Sequence, residues 1–375
     1  MTELPPLDSA VLPAGVRSRF MPDINGLRVH ILEAGEAGRP CVLLLHGFPE
    51  LAYSWRHIMP AVAAAGYHVV APDLRGYGRT TGWAADYDSA ADLQPFRLLN
   101  AVRDQFGLVR ALGYRDVAAV VGHDFGSPVA AWCALVRPDV FRSVALMSAP
   151  FEGPPELSPG AARSGDVHAA MAALSRPRKH YQWYYSTRPA NDDMMRCKQG
   201  VHAFLRAYYH HKSADWTQNR PHRLAGWTAE ELAKMPTYYI MDLGEDMAET
   251  VAHEMPSPAE IAANSWLPDN ELAVYAGEYE RTSFAGGLQW YRRGTTGLDT
   301  AELQLFAGRT IDVPSMFIAG SSDWGVYQRP GSFEHMQGGS CTRMIGCHLL
   351  DGAGHWLQQE QAAKVSELLI EFLRK

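Results

Sequence analysis

The sequence predicts an α/β protein: a mostly parallel central sheet with helices on both faces, interrupted by a long, mainly helical insertion. Three observations predict it. Over the first 150 residues, short apolar runs alternate with longer amphipathic stretches, the pattern of strand–helix–strand units. The alternation stops at Pro150 and resumes at 314–319. Between those points the chain is rich in Pro, Trp and Tyr and lacks clean apolar strands.

The elements follow in order. Val16–Ile24 and 27–32 flank Asn25-Gly26, a strong hairpin signal because both residues tolerate the left-handed turn conformation. Cys41–Leu45 is an apolar run of buried-strand length, followed by a helical pattern over 54–65 and a strand at 68–71. An amphipathic segment at 94–112 leads to a strand at 117–121, a helix at 128–136 and a strand at 143–147. After the insertion come strands at 314–319 and 343–350 and a C-terminal amphipathic helix at 356–373. The predicted division is a core of 1–150 and 301–375 with an inserted helical lid of 151–300, loop-rich between about 210 and 275. The insertion leaves the sheet after a strand, on the side where open α/β sheets bind ligands.

Composition excludes several function classes. The 375 residues are 47% hydrophobic and 20% charged, with 34 basic against 41 acidic residues and no long run of like charge. That leaves no electrostatic footprint for nucleic acid or an anionic membrane surface. The first twenty residues have no basic region followed by an apolar one, so no signal peptide is expected. No apolar stretch approaches the roughly 18 residues of a spanning helix. Five cysteines, at 41, 133, 197, 341 and 347, form no Cys-x-x-Cys pair. Free thiols in a reducing, cytoplasmic location are therefore expected. Cys341 and Cys347 are the two close enough in sequence to consider for a bridge.

The chemistry centres on Gly122-His123-Asp124-Phe125-Gly126, between an apolar strand and a helix. Small–x–nucleophile–x–small in a strand–turn–helix setting is a nucleophile elbow, whose tight turn needs small residues around a strained backbone. Here the apex is Asp124. A carboxylate is already an anion at neutral pH and can displace at a saturated carbon, leaving an alkyl ester on the enzyme. The bland alternative is a Gly-rich turn with a helix-capping Asp. His46-Gly47-Phe48-Pro49 follows an earlier strand of the same sheet. The N–H groups of Phe48 and Phe125 would then form an oxyanion hole for ester hydrolysis.

Two late residues fit the remaining roles. Asp323 follows the strand at 314–319, and His355 sits between the last strand and the C-terminal helix. The order nucleophile, acid, histidine is the one this arrangement requires. Ionised Asp124 has no proton to give, so His355 is expected to deprotonate water while Asp323 holds the imidazole. The adjacent His210 and His211 lack the spacing of metal ligands on one helical face. The loop at 73–78 lacks the form of a phosphate-binding loop, and reads as a strand-end loop shaping the site floor.

These segments resemble the epoxide hydrolases of the α/β-hydrolase superfamily. The resemblance runs through His-Gly-Phe-Pro-Glu at 46–50, the segment 53–80, the elbow at 122–126 and Asp-Gly-Ala-Gly-His-Trp at 351–356. It implies an α/β-hydrolase fold, no cofactor, and two lid tyrosines that donate to the epoxide oxygen. Tyr181, in Tyr181-Gln182-Trp183-Tyr184-Tyr185, and Tyr291, in Gln289-Trp290-Tyr291-Arg292-Arg293, match those motifs, with Tyr184 as the competing assignment for the first. His46, Pro49, Trp183 and Trp356, beside the motifs, are expected to contact substrate. A small apolar epoxide is the implied substrate, without nucleic acid or membrane; an added helix at the edge of the lid would offer a contact for a homodimer.

Other readings stay open at this point. Haloalkane and fluoroacetate dehalogenases share the Asp–His–Asp machinery. Phe125 stands where haloalkane dehalogenases place Trp, and no arginine clamp follows the elbow, whereas Trp183 resembles a halide-binding Trp of the fluoroacetate group. A non-catalytic receptor of the same fold and a serine esterase using Ser127 are further alternatives. The stretch from about 210 to 279 looks longer than the family's compact lid. Its Met235, Tyr238, Tyr239, Met241, Met247 and Met255 would either pack inserted helices or line a larger apolar pocket.

Overall fold

The hairpin at Asn25-Gly26 opens the sheet. The computed structural model describes residues 4–157 and 166–375, so 158–165 of the predicted insertion lie outside the described residues. Asn25 and Gly26 take φ of 51° and 81° and join β1 (Val16–Ile24) antiparallel to β2 (Leu27–Ala34). Then follow β3 (Cys41–Leu45), β4 (His68–Pro72), β5 (Ala119–His123) and β6 (Val144–Met147). After these come the short β7 (Arg178–His180) and β8 (Ile240–Asp242), then β9 (Ser315–Gly320) and β10 (Met344–Leu350).

Eight strands form one sheet in the order β1-β2-β4-β3-β5-β6-β9-β10. Its first two pairings beyond the hairpin edge are β2 with β4, antiparallel, and β4 with β3, parallel. From β4 to β10 every pairing is parallel. Every residue of β3, β4, β5, β6 and β9 is buried. Successive side chains of a strand point to opposite faces, so both faces of the sheet are covered, and the strands read as continuous apolar runs. The chain steps from β3 to β4 on one side and returns to β5 on the other. The connections leaving the carboxyl ends of β3 and β5 therefore run to opposite sides, and the crevice between those connections is the favoured ligand position in such sheets.

The structure adjusts several sequence expectations. The strand expected at 117–121 runs instead from Ala119 to His123, because pairing with β6 continues to His123 opposite Met147. Val117 makes only an isolated bridge to Phe141. The single C-terminal helix is two, Leu357–Glu360 and Ala362–Leu373, broken where Gln361 takes φ −132° and ψ 45°. The insertion does contain strands: β7 pairs antiparallel with β8. Three residues are too few to show a period of two.

The stretch expected to be loop-rich holds the helices Ala229–Leu232, Met247–Ala252 and Pro258–Ala263 and the start of Asp269–Thr282. Two of these begin with reciprocal caps, Asp246 with Glu249 and Ser257 with Glu260, which satisfy N–H groups that a six-residue helix could not satisfy itself. Met235, Tyr238, Tyr239, Met241 and Met247 are buried, with Tyr238 against His211 and Tyr239 against Tyr181, while Met255 is exposed. All five cysteines are free, Cys341 and Cys347 included. Among the described residues no helix is long and apolar enough to cross a membrane.

Candidate active site

Asp124 stands at the end of β5, at φ 50°, immediately before the helix Gly126–Val136. A left-handed φ is costly for a residue with a side chain and persists only where packing demands it. Packing demands it here. A Cβ on Gly122 would lie 2.0 Å from the Gly126 oxygen, and one on Gly126 would lie 2.2 Å from the Leu45 oxygen. Only glycine lets the elbow press this closely on itself and on β3.

The loop after β3 meets the elbow directly. The Phe48 N–H donates to Asp124 Oδ1 at 2.9 Å. Phe125 caps the helix Gly126–Val136, where the first N–H groups have no intrahelical acceptor. The loop itself is held by its neighbours. His46, fully buried, donates from Nδ1 to the Gly47 carbonyl at 2.9 Å and accepts the Leu74 N–H at Nε2 at 3.0 Å. The loop at 73–78 forms part of the same floor: Asp73 accepts the N–H groups of Ala52 and Arg79 at 2.8 and 2.9 Å.

His355 Nε2 lies 3.4 Å from Asp124 Oδ2. Its Nδ1 faces Asp323 Oδ1 at 3.1 Å and Ser148 Oγ at 2.9 Å. A Nδ1–H directed at Asp323 leaves the Nε2 lone pair toward Asp124, and Nε2 has no hydrogen-bond partner among the described residues. Asp323 Oδ1 also accepts the Gly325 N–H at 2.7 Å. Burial would raise the Asp124 carboxyl, but the adjacent His355, with the charges of Lys212 and His123, holds it below the usual carboxylate range. Asp323 is lowered in the same way, burial being outweighed by His355.

Above the elbow the inserted segment brings aromatic rings together. Tyr291, on the helix Ala285–Thr296, packs edge-on against Phe125 at 4.6 Å and Phe48 at 5.4 Å between ring centroids. The Tyr181 ring lies 5.8 Å from that of Tyr291. The Tyr181 hydroxyl donates to Gln328 Oε1 and accepts from Gln182 Nε2, both at 3.2 Å. Burial pushes both phenols above their ordinary pKa, so both remain protonated donors at neutral pH. Tyr184 is turned elsewhere, with its hydroxyl donating to Asp193 at 2.8 Å.

The four expected substrate contacts divide. Trp183 does not reach this site: it is 37% exposed and packs on His168 and His180 at 4.1 and 5.0 Å. On the helix Tyr181–Tyr185, a residue two positions after Tyr181 points to the other side. His46 is engaged in holding the loop, as above. Pro49 accepts the Tyr209 hydroxyl at its carbonyl. Trp356 is fully buried against His355, at 4.6 Å, and donates to the Tyr209 carbonyl. The last three thus support the site's walls.

Three neighbours escaped the sequence reading. Ser148, at φ 67°, ends β6 and reaches His355, as above. Glu50 and His123 sit inside the quoted motifs but were given no role. Glu50 accepts from Gly47 N at 3.0 Å, His123 Nδ1 at 2.5 Å and Gln358 Nε2 at 2.6 Å. His123 Nε2 then donates to the His355 carbonyl at 2.7 Å. Burial opposes charge on both, yet each is drawn toward its ionised form by the other. A charged residue inside an apolar motif was the available signal, since such groups are buried only when paired.

Comparison with known proteins places this geometry. Residues 40–362 match the family model described as alpha/beta hydrolase fold. The chain is 35% identical over 368 residues to epoxide hydrolase A of Mycobacterium tuberculosis (strain ATCC 25618 / H37Rv), covering 96% of this chain and 98% of the relative. It is 32% identical to an epoxide hydrolase of Caballeronia sordidicola, covering 93% and 92%. The solved structure of an epoxide hydrolase from an endophytic Streptomyces superposes with a TM-score of 0.76 at 32% identity, covering 96% of each chain. With an aspartate elbow, an adjacent histidine–aspartate pair and this degree of likeness end to end, the chain belongs to the epoxide hydrolase family of the α/β-hydrolase fold.

Proposed function

We propose that this protein hydrolyses an apolar epoxide to a vicinal diol through an ester on Asp124. The observation that carries the reading is the meeting of two protonated phenols, Tyr181 and Tyr291, with Tyr291 packed on Phe48 and Phe125, the two residues that flank the ionised Asp124. Residues 151–300 act as a lid on a core of 1–150 and 301–375. The rings of Phe48, Phe125, Tyr185 and Tyr291, in mutual contact, favour an apolar substrate.

In the first step an Asp124 carboxylate oxygen attacks one epoxide carbon. The C–O bond breaks, its electron pair stays on the epoxide oxygen, and the tyrosine hydroxyls stabilise and protonate that oxygen. In the second step His355 takes a proton from water, and the resulting hydroxide attacks the carbonyl carbon of the ester. Asp323 stabilises the imidazolium, and the N–H groups of Phe48 and Phe125 hold the tetrahedral oxyanion. Collapse expels the diol oxygen, which takes the proton from the His355 imidazolium, and the carboxyl proton left on Asp124 returns the phenolate to phenol and restores the carboxylate. The Phe48 N–H already donating to Asp124 supports this assignment.

A single turnover in heavy-oxygen water tests the route. Label is expected in the Asp124 carboxylate and not in the diol. Label in the first-turnover diol would mean direct attack of water on the epoxide and would overturn the ester.

A further inference from the structure

The loop that carries His355 is tied down by a carboxylate with no part in the reaction as described. Glu360 ends the short helix Leu357–Glu360. Its Oε1 accepts the Trp356 N–H at 2.9 Å, and its Oε2 accepts the Gly354 N–H at 2.9 Å. The N–H between them, that of His355 itself, donates to the Lys212 carbonyl at 2.9 Å. Three consecutive backbone donors are thus engaged, two by one carboxylate and one by the inserted segment.

The same carboxylate also holds that segment. Glu360 Oε2 accepts the Ala214 N–H at 2.8 Å, just past the helix Gly200–Lys212. The two backbones are in close contact there. A Cβ on Gly354 would lie 2.5 Å from the Ser213 carbonyl carbon and 2.7 Å from the Lys212 oxygen. Glycine before the histidine is therefore required for the arm at 212–214 to seat on the loop. Asn219 steadies the arm from its far side, donating to the carbonyls of His211 and Ser213 at 3.0 and 2.8 Å.

Burial pushes the Glu360 carboxyl up to about 8 against the pull of its three N–H donors, so the tie rests on the geometry of three hydrogen bonds converging on one side chain, which fix the peptide units on both sides of His355. A shift of about 1 Å in a catalytic group can slow a reaction on the order of a hundredfold. We propose that Glu360 is a positioning residue for His355, joining the histidine loop to the arm at 212–214 so that ester hydrolysis depends on it and ester formation does not. The inference rests on the reading of His355 as the base for water.

The test is a single-turnover comparison of the full-length parent, Glu360→Gln, Glu360→Asp and His355→Gln with styrene oxide, following the ester by intact mass. In Glu360→Gln an NH2 group meets a backbone N–H, so at least one of the three bonds is lost. Ester formation is expected within about twofold of the parent, with decay slowed on the order of tenfold to a hundredfold. Because kcat/KM does not contain the hydrolysis rate in this scheme, kcat and KM should fall together. Glu360→Asp should lie between, and it carries the test if the Gln variant does not fold. A purely structural role would lower kcat without lowering KM, and that result, or parent-rate ester decay in both variants, overturns the proposal. If His355→Gln traps no ester, the reading of His355 itself fails; if it traps ester while both Glu360 variants decay normally, only the Glu360 proposal fails.

Discussion

The Nε2 atom of His355 stands 3.4 Å from Oδ2 of Asp124 while Nδ1 of the same ring faces Asp323 at 3.1 Å. Because the Asp124 carboxyl is held ionised, this contact is not one between a base and a nucleophile that needs activating. On the proposed mechanism it places a base where water must attack the ester. His355→Gln is therefore expected to form the ester and then stall, with turnover falling on the order of a thousandfold. Intact mass should show protein plus one epoxide. Normal diol release by this variant would remove His355 from the mechanism.

The two phenols should act in the other half-reaction. Tyr291→Phe and Tyr181→Phe are each expected to slow ester formation, on the order of a hundredfold for loss of one aimed donor. The double variant should lose ester formation altogether, with ester decay unchanged once any ester is formed. Stopped-flow tryptophan fluorescence would separate the steps. Tyr184→Phe serves as the contrast, because its hydroxyl is bound to Asp193.

The pH dependence of ester formation follows from the directions of the shifts. Asp124 is lowered, so it remains ionised as pH falls through the ordinary carboxylate range; its contribution to stability is fully present above the unfolded pKa and is lost progressively as pH falls from there through the folded one. Tyr181 and Tyr291 are raised, so they keep their protons as pH rises through the ordinary phenol range. Single-turnover ester formation should thus be level from about pH 5 to about pH 9, given ordinary values near 4 and 10. A limb inside that window would show that neither group sets the rate.

Glu50 and His123 form a buried pair under the histidine loop. Removing one member leaves the other charged and uncompensated, which costs about 3–5 kcal/mol. Glu50→Ala is expected to lower the denaturant midpoint accordingly, without altering the slope of the transition. A loss below about 1 kcal/mol would mean that the pair is not ionised in the folded protein.

Much of the fold was legible because its signals are local. Asn25-Gly26 turns the chain by its own backbone preferences, and β3 through β6 declare burial by unbroken apolar runs. The short inserted elements were not legible in the same way. β7 pairs with β8 across some sixty residues, and the helices at 229–263 are four to six residues long. Elements that short show little periodicity; they depend on caps and on the burial of their own tyrosines and methionines against the rest of the fold.

The site divides along the same line. By itself the sequence identified the aspartate at the elbow, the order of the acid and the histidine, and the glycines that the turn requires. These depend on strand–turn–helix context within a few residues, where sterics leave little choice. The tertiary structure alone decided that Trp183 faces away while Tyr181 and Tyr291 meet, that Ser148 reaches His355, and that Glu360 joins the histidine loop to Ala214. Those relationships join residues up to 207 positions apart. No local preference encodes which ring or carboxylate another part of the chain will meet; that is decided when the inserted helices dock on the sheet and every buried donor must find an acceptor.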